Sequence, residues 1–262
     1  MALVIYEPAT YTPLTSPMRS FELPWSGIVT MQQHWQVDGI RTGGAVWDAS
    51  QVLGHYLDQQ HNRWFGHSSL ELGAGLGYAS IVASRCGFSE VLATDGDAIV
   101  VPFARENVRK NALAGADVET SVEHFEWGDA TRLETLIPSG SRLPDLIMAS
   151  DIIYIGSTGA WGSFLQTVAE LCRRRRNETA IASKSVMSSH DGTQLTAGDP
   201  LVLLSHTRRH ANEEAHFMKV AHRERFQMVA LPESTLHATY RNGRSVLFEL
   251  RWKGDADHVH SF

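Results

Sequence analysis

The stretch SLELGAGLGYASIVASRC, residues 69–86, contains a short apolar strand, a glycine turn and the start of a helix. Gly73, Gly75 and Gly77 occupy alternate positions in the turn. A glycine inside a regular element costs about 0.5–1 kcal/mol relative to alanine, so three together indicate that something approaches the backbone closely. A glycine turn after the first strand of an open α/β sheet is the usual ligand site; a tight turn without a ligand is the alternative.

The spacing of the glycines argues against a dinucleotide. The dinucleotide fingerprint G-x-G-x-x-G would place its third glycine at position 78, which is Tyr78 here. Asp95 ends the next apolar run, 22 positions after Gly73 (95 − 73), close to the ~20 expected for an acid that binds ribose hydroxyls. An ordinary turn in TDGD is the alternative for Asp95. The pattern indicates a site for an adenosine without a pyrophosphate.

Strand and helix patterns alternate through most of the chain, which is typical of a twisted sheet with helices on both faces. Residues 177–200 are ambiguous: TAIASKSV (179–186) is one candidate strand, and LVLLSH (201–206) is the better one. The remaining predicted elements are a strand pair (20–23 with 26–35), helices over 45–57, 78–86, 98–115, 159–176 and 212–226, and strands over 69–72, 90–94, 119–127, 145–154 and 245–252. We divide the chain into an extension (1–43), a main domain (44–253) and a flexible tail (254–262).

The composition is that of an ordinary globular protein. The chain has 262 residues and a net charge of −6, which gives no general attraction to nucleic acid or anionic membranes. Its 2 cysteines cannot form a disulfide framework. The N-terminus lacks the pattern of a secretory signal, and no apolar run is long enough for a membrane span. We expect a cytoplasmic monomer, with the nucleus also open, and no nucleic-acid or membrane partner.

Three other signals carry little weight. The run RRRR, residues 173–176, is interpreted as the solvated basic end of a helix rather than a localisation signal or substrate patch. His258 and His260 have no carboxylate or cysteine at ligand spacing, so no metal site is expected. Ser157 lies in GSTG, which is not a nucleophile elbow, so a hydrolase is not expected.

Six motifs occur in an order that is similar to a known family. They are GGAVWDASQVLGHYL (43–57), ELGAGLG (71–77), ATDGD (93–97), ENVRKN (106–111), EWGD (126–129) and ASDIIY (149–154). Together they resemble the seven-strand, S-adenosylmethionine-dependent protein lysine methyltransferases of the non-SET type, over roughly residues 20–252. The resemblance departs at 177–200, where this chain is longer than the family pattern.

The resemblance implies a Rossmann-like α/β fold: a seven-stranded, mostly parallel sheet with helices on both faces, preceded by an extension with a short β-hairpin. It implies S-adenosylmethionine as cofactor and an unidentified protein as substrate. Arg208 or Arg209 matches the basic residue that follows the fifth strand. The implied catalytic residues are Asp151 and Tyr154, and the implied cofactor-binding residues are Trp47, Glu71, Gly73, Ala74, Gly75, Asp95, Trp127 and Ser150.

These residue types suit methyl transfer to an amine. A lysine has a pKa near ~10.4 and must lose its proton before attack, so Asp151 can attract the ammonium while Tyr154 aligns the amine. A structural acid after the strand is the alternative for Asp151, and core packing is the alternative for Tyr154 and Trp47. Three other functions stay open: a histidine acceptor, a small-molecule methyltransferase, and a non-catalytic scaffold that keeps the cofactor site.

Overall fold

A seven-stranded sheet forms the centre of the molecule, with strands in the order β5-β4-β3-β6-β7-β9-β8. The computed structural model describes residues 16–40, 42–113, 118–185, 198–209 and 211–255. All neighbours pair in parallel except β9, which is antiparallel to both β7 and β8. The strands are β3 (Ser68–Leu72), β4 (Glu90–Asp95), β5 (Glu119–His124), β6 (Leu146–Ser150), β7 (Leu201–Thr207), β8 (Phe226–Ala230) and β9 (Ser245–Trp252). The predicted fold class is confirmed.

Helices cover both faces of this sheet because the side chains of its central strands alternate between two apolar cores. In β7, Leu204 belongs to the core that contains Phe164 and Phe217, whereas Leu203 belongs to the core that contains Leu53. The helices are α1 (Asp48–Gln59), α2 (Tyr78–Arg85), α3 (Val101–Asn111), α4 (Ala130–Leu136), α5 (Trp161–Ser185) and α6 (Ala211–Arg223). Among the described residues, no helix is both long and apolar enough to cross a membrane.

The predicted N-terminal hairpin is also present, as β1 (Met18–Leu23) and β2 (Gly27–Gln32). Two buried asparagines of α3 pair with the backbone of β2. Each side-chain amide accepts from the N–H and donates to the carbonyl of one residue, as the backbone of a neighbouring strand does. The Asn107 side chain accepts from the Gln32 N–H (2.9 Å) and donates to the Gln32 carbonyl (3.0 Å). Asn111 does the same with Thr30, at 3.0 and 2.8 Å. The hairpin is thereby attached to the main domain.

The structure differs from the sequence patterns at three elements, while the favoured strand at 201–206 is present as β7. The alternative strand at 179–186 is not formed, because α5 continues through Ser185. Residue 186, the last of that segment, lies outside the described residues. The helix expected over 212–226 ends at Arg223, because Arg225 has a φ of +65° and Phe226 then pairs with Trp252 in β8. Sequence patterns also missed α4, whose first turn is capped by the Asp129 side chain.

The arginine run is not a solvated helix end. It lies in the middle of α5, and each arginine meets an acidic group from another part of the molecule or from the preceding turn. These pairs are Arg173 with Asp255 (3.0 Å), Arg174 with Glu170 (3.0 Å), Arg175 with Asp145 (3.0 Å) and Arg176 with Asp199 (2.7 Å). The run therefore ties α5 to its surroundings.

Candidate active site

A cavity of about 930 Å³ opens at the carboxyl ends of β3, β4 and β6. From β3 the chain adds β4 and β5 on one side and then crosses back to place β6 on the other side of β3; such a switch point is where open α/β sheets bind ligands. Nine of the ten predicted site residues line this cavity: Trp47, Gly73, Ala74, Gly75, Asp95, Trp127, Ser150, Asp151 and Tyr154.

The glycine turn needs its glycines first for backbone conformation. Gly73, Gly75 and Gly77 have φ values of +78°, +53° and +83°, a region that other residues adopt at a cost. A Cβ on Gly73 would lie 3.1 Å from the Trp127 ring, and one on Gly75 would lie 3.2 Å from the Gly43 carbonyl oxygen. The sequence predicted that a group approaches this backbone closely, and two such groups, the Trp127 ring and the Gly43 carbonyl, belong to the protein itself.

Asp95 is held by backbone donors at the end of β4. Its Oδ2 accepts from the Gly75 N–H (2.8 Å) and its Oδ1 from the Asp97 N–H (2.8 Å). Burial raises the pKa of this carboxyl, and the two backbone hydrogen bonds oppose that effect. Each oxygen keeps a free lone pair, so the carboxylate can also accept from the two hydroxyls of a ribose.

Glu71 is the predicted site residue that does not line the cavity. It is fully buried behind the glycine turn, where its Oε2 accepts from the Ser80 N–H (3.0 Å) and hydroxyl at the start of α2. Its Oε1 has no hydrogen-bond partner among the described residues. Burial raises the pKa of Glu71 to about 7. Its contacts fix the helix start behind the turn, and direct contact with a ligand stays a prediction.

Asp151 lies opposite, just after β6. Its φ is +57°, and its N–H donates to the Ser205 carbonyl (2.9 Å) of β7. The Arg209 guanidinium binds both carboxylate oxygens, at 2.8 and 2.5 Å. Burial would raise the pKa of Asp151, but the nearby His206 and Arg209 outweigh burial and lower it. Arg208 pairs instead with Glu214 (2.7 Å), so Arg209 is the basic residue of the site.

The segment before α1 closes the same side of the cavity. The Arg209 guanidinium lies over the Trp47 ring, 5.2 Å from its centroid. The Trp47 Nε1–H donates to the Thr42 carbonyl (2.7 Å), and the Thr42 hydroxyl donates to the Tyr154 hydroxyl (3.3 Å). Sequence reasoning missed Thr42 and Gly43, since a threonine and a glycine in an irregular segment carry no signal of their own.

Metal ligation has no support in the part of the chain that the structure describes, where no three His, Cys, Asp or Glu side chains group together. His258 and His260 lie outside the described residues.

Comparison with known proteins identifies the family. A family model described as lysine methyltransferase matches residues 28–191. The chain is 29% identical to the mouse protein N-lysine methyltransferase METTL21A over 226 residues, 85% of this chain and 97% of that protein. Its Xenopus tropicalis counterpart is 34% identical over 143 residues, 55% of this chain and 60% of that protein. A SAM-dependent methyltransferase structure from Aquifex aeolicus is 14% identical, with a TM-score of 0.46, covering 78% of this chain and 89% of that chain. Since the family model spans more than half of the chain, this protein belongs to the S-adenosylmethionine-dependent lysine methyltransferases.

Proposed function

We propose that this chain methylates a lysine side chain of another protein, and that the cavity at the ends of β3, β4 and β6 is where transfer occurs. The observation that carries the proposal is that Asp95 and Asp151, held by different partners, open into one cavity. The first suits a ribose, and the second suits an amine. The names of the METTL21A relatives, which are protein N-lysine methyltransferases, support a protein lysine as acceptor.

The residues on the cavity wall fit S-adenosylmethionine. The volume of about 930 Å³ is at the upper end of small-ligand pockets, which leaves room for an acceptor side chain. Asp95 offers two fixed acceptors for the ribose hydroxyls, and its carboxylate would repel a phosphate on the ribose. We assign the glycine turn to the methionine part and Trp127, which lies against Gly73, to the neighbourhood of the adenine.

The bound cofactor supplies a methyl group already activated on a sulfonium sulfur, so the protein's main task is to position the acceptor. Asp151 and Arg209 form a pair with no net charge, and such a pair does not favour the ammonium form of the lysine. The two Arg209 contacts leave lone pairs on Asp151 that can accept an N–H of the neutral amine. Tyr154, across the rim and bonded to Thr42, provides an aromatic wall for the methylated product.

We retain three finer statements as proposals. The chain acts as a monomer, it works in the cytoplasm or the nucleus, and residues 44–253 form the catalytic domain, with Thr42 and Gly43 contributing to the cavity from the extension. Light scattering and imaging of a tagged protein would test the first two.

Transfer of a labelled methyl group tests the function. The protein is incubated with tritiated S-adenosylmethionine and a gel-filtered eukaryotic cell lysate, and labelled proteins are hydrolysed for amino-acid analysis. We expect label in methyl-lysine. Label in methyl-histidine would change the acceptor residue, label only in the small-molecule fraction would favour the alternative enzyme class, and cofactor binding without any transfer would favour a scaffold.

A further inference from the structure

His206 lies beside the site without a role in the mechanism above. It is the sixth residue of β7, and its side chain is 1% exposed. Neither ring nitrogen has a hydrogen-bond partner within the described ranges. Each unpaired polar group of a buried imidazole destabilises the folded protein by about 1–3 kcal/mol. A nearby group that forms a hydrogen bond with the ring would remove part of this cost.

The nearest such group is the Asp151 carboxylate. His206 Nδ1 lies 3.7 Å from Asp151 Oδ1, slightly beyond hydrogen-bond distance. The register explains the proximity: Ser150 of β6 pairs with Ser205 of β7, so the residues that follow them are also neighbours. Alternation along β7 places His206 on the same sheet face as Leu204, the face that α5 covers.

A hydrogen bond, rather than a second positive charge, is what His206 can add to Asp151. Arg209 already supplies a cation to both carboxylate oxygens, and a protonated His206 would add a second, buried cation to the same carboxylate. A neutral imidazole with its hydrogen on Nδ1 can donate to Oδ1 without adding charge. This donor approaches from the β7 side.

We propose that His206 is a positioning residue for Asp151. Its Nδ1–H donates to Oδ1 after a small rotation of the ring, and together with Arg209 it fixes the carboxylate plane, so that the remaining lone pair, on Oδ2, faces the acceptor amine. The proposal rests on the proposed function, because the acceptor is the amine assigned there. No covalent step involves His206.

Three substitutions separate positioning from packing. Asn in place of histidine puts an N–H close to the position of Nδ1, Gln puts one close to Nε2, and Leu keeps bulk without a donor. We expect H206Q and H206L to lower methyl transfer into the lysate by about tenfold or more, since small misplacements of catalytic groups have effects of this size. H206N should lose less than about threefold. Thermal melts identify variants that fail to fold, and S-adenosylmethionine titration should give wild-type affinity for all three.

A spectroscopic measurement tests the contact without any acceptor. Nitrogen-15 NMR of the full chain, with the His206 signal assigned by its loss in H206N, distinguishes the two neutral tautomers. We expect the Nδ1–H tautomer in the wild type and a shift towards Nε2–H in D151A, where the acceptor is gone. An Nε2–H tautomer in the wild type, or equal loss of transfer in H206N and H206Q, would overturn the proposal. If the wild type transfers no methyl group, the proposed function fails, while the NMR result still decides on the contact.

Discussion

Two buried carboxylates at the same edge of the sheet have opposite electrostatic character. Among the described residues, the hydrogen-bond donors to Glu71 of β3 are the neutral N–H and hydroxyl of Ser80, and burial raises its pKa to about 7. Asp151, after the neighbouring β6, meets Arg209 and His206, and its pKa is lowered. Partners rather than burial decide the direction of each pKa shift, and of these two acids the one with the lowered pKa, Asp151, is the one that lines the cavity.

The two halves of the cavity also differ in how they are assembled. The centre of the proposed cofactor half is local: the glycine turn at 73–77 and Asp95 follow or end the neighbouring strands β3 and β4, and the Gly75 N–H donates directly to the Asp95 carboxylate, while Trp47 and Trp127 join from outside this stretch. The acceptor half brings together Thr42, Asp151 and Arg209 from segments more than 50 residues apart. The first half depends on local conformation and the second on tertiary packing.

The largest expected effect concerns the raised pKa of Glu71. When the pKa of an acid is higher in the folded state than in the unfolded state, the protein's free energy of unfolding falls as pH rises between the two pKa values. For Glu71 these values are about 4.5 and about 7. Relative to E71Q, the wild type should lose about 2–3 kcal/mol of unfolding free energy between pH 5 and 8, at about 1.36 kcal/mol per pKa unit. Urea denaturation at the two pH values measures this difference.

D151N is the matched control, because the Asp151 pKa is lowered rather than raised. Its stabilising contribution is present above the unfolded-state pKa and is lost as pH falls below about 4. The stability difference between the wild type and D151N should therefore be constant from pH 5 to 8. The same pH dependence in both comparisons would show that the two acids do not differ as described.

The second prediction tests whether the cofactor half depends on local conformation. G73A adds a Cβ at positive φ and 3.1 Å from Trp127, whereas G140A adds one at a similar φ of +83° with nothing within 4 Å. We expect G140A to lose about 1 kcal/mol of unfolding free energy and G73A about 2 kcal/mol. Only G73A should also weaken S-adenosylmethionine binding. Equal effects in urea denaturation and calorimetry would mean that strain alone explains this turn.

The smallest of these effects concerns the acceptor half. R209M removes the group that orients Asp151, while R208M removes an arginine paired with Glu214 away from the cavity. We expect R209M to lower methyl transfer about tenfold, equivalent to one charge-assisted hydrogen bond, and R208M to change it less than twofold. Initial rates of methyl transfer by the two variants test this prediction. Similar losses of rate in both variants would contradict a role of Arg209 in the site.

How each half of the cavity is assembled explains which of its residues could be predicted from the sequence. The glycines, Asp95 and Asp151 follow strands with strong apolar patterns, and the cavity lies where those patterns place it. The choice between Arg208 and Arg209 stayed open, because adjacent loop residues differ only in the direction that the folded backbone gives them. His206 reads as an ordinary strand residue, since its importance depends on the register between β6 and β7.

The same reasoning applies to the elements that were missed. The strand β8 follows α6 after a two-residue turn, and its short sequence FQMVA continues the helical pattern of the residues before it. The positive φ of Arg225, which separates the two elements, has no signal in an arginine. The arginine run was interpreted as solvated because its acidic partners, such as Asp145 and Asp199, are distant in sequence.

The most direct test of the two-part site measures cofactor affinity and methyl transfer on the same two variants. D95A should weaken S-adenosylmethionine binding about 100-fold. It removes the two proposed charge-assisted hydrogen bonds to the ribose hydroxyls, and it leaves the Gly75 and Asp97 N–H groups unpaired. D151A should bind the cofactor within about twofold of the wild type and lose methyl transfer about 100-fold. Wild-type transfer by D151A, or an equal loss of cofactor binding in both variants, would contradict the assignment of Asp151 to the acceptor half.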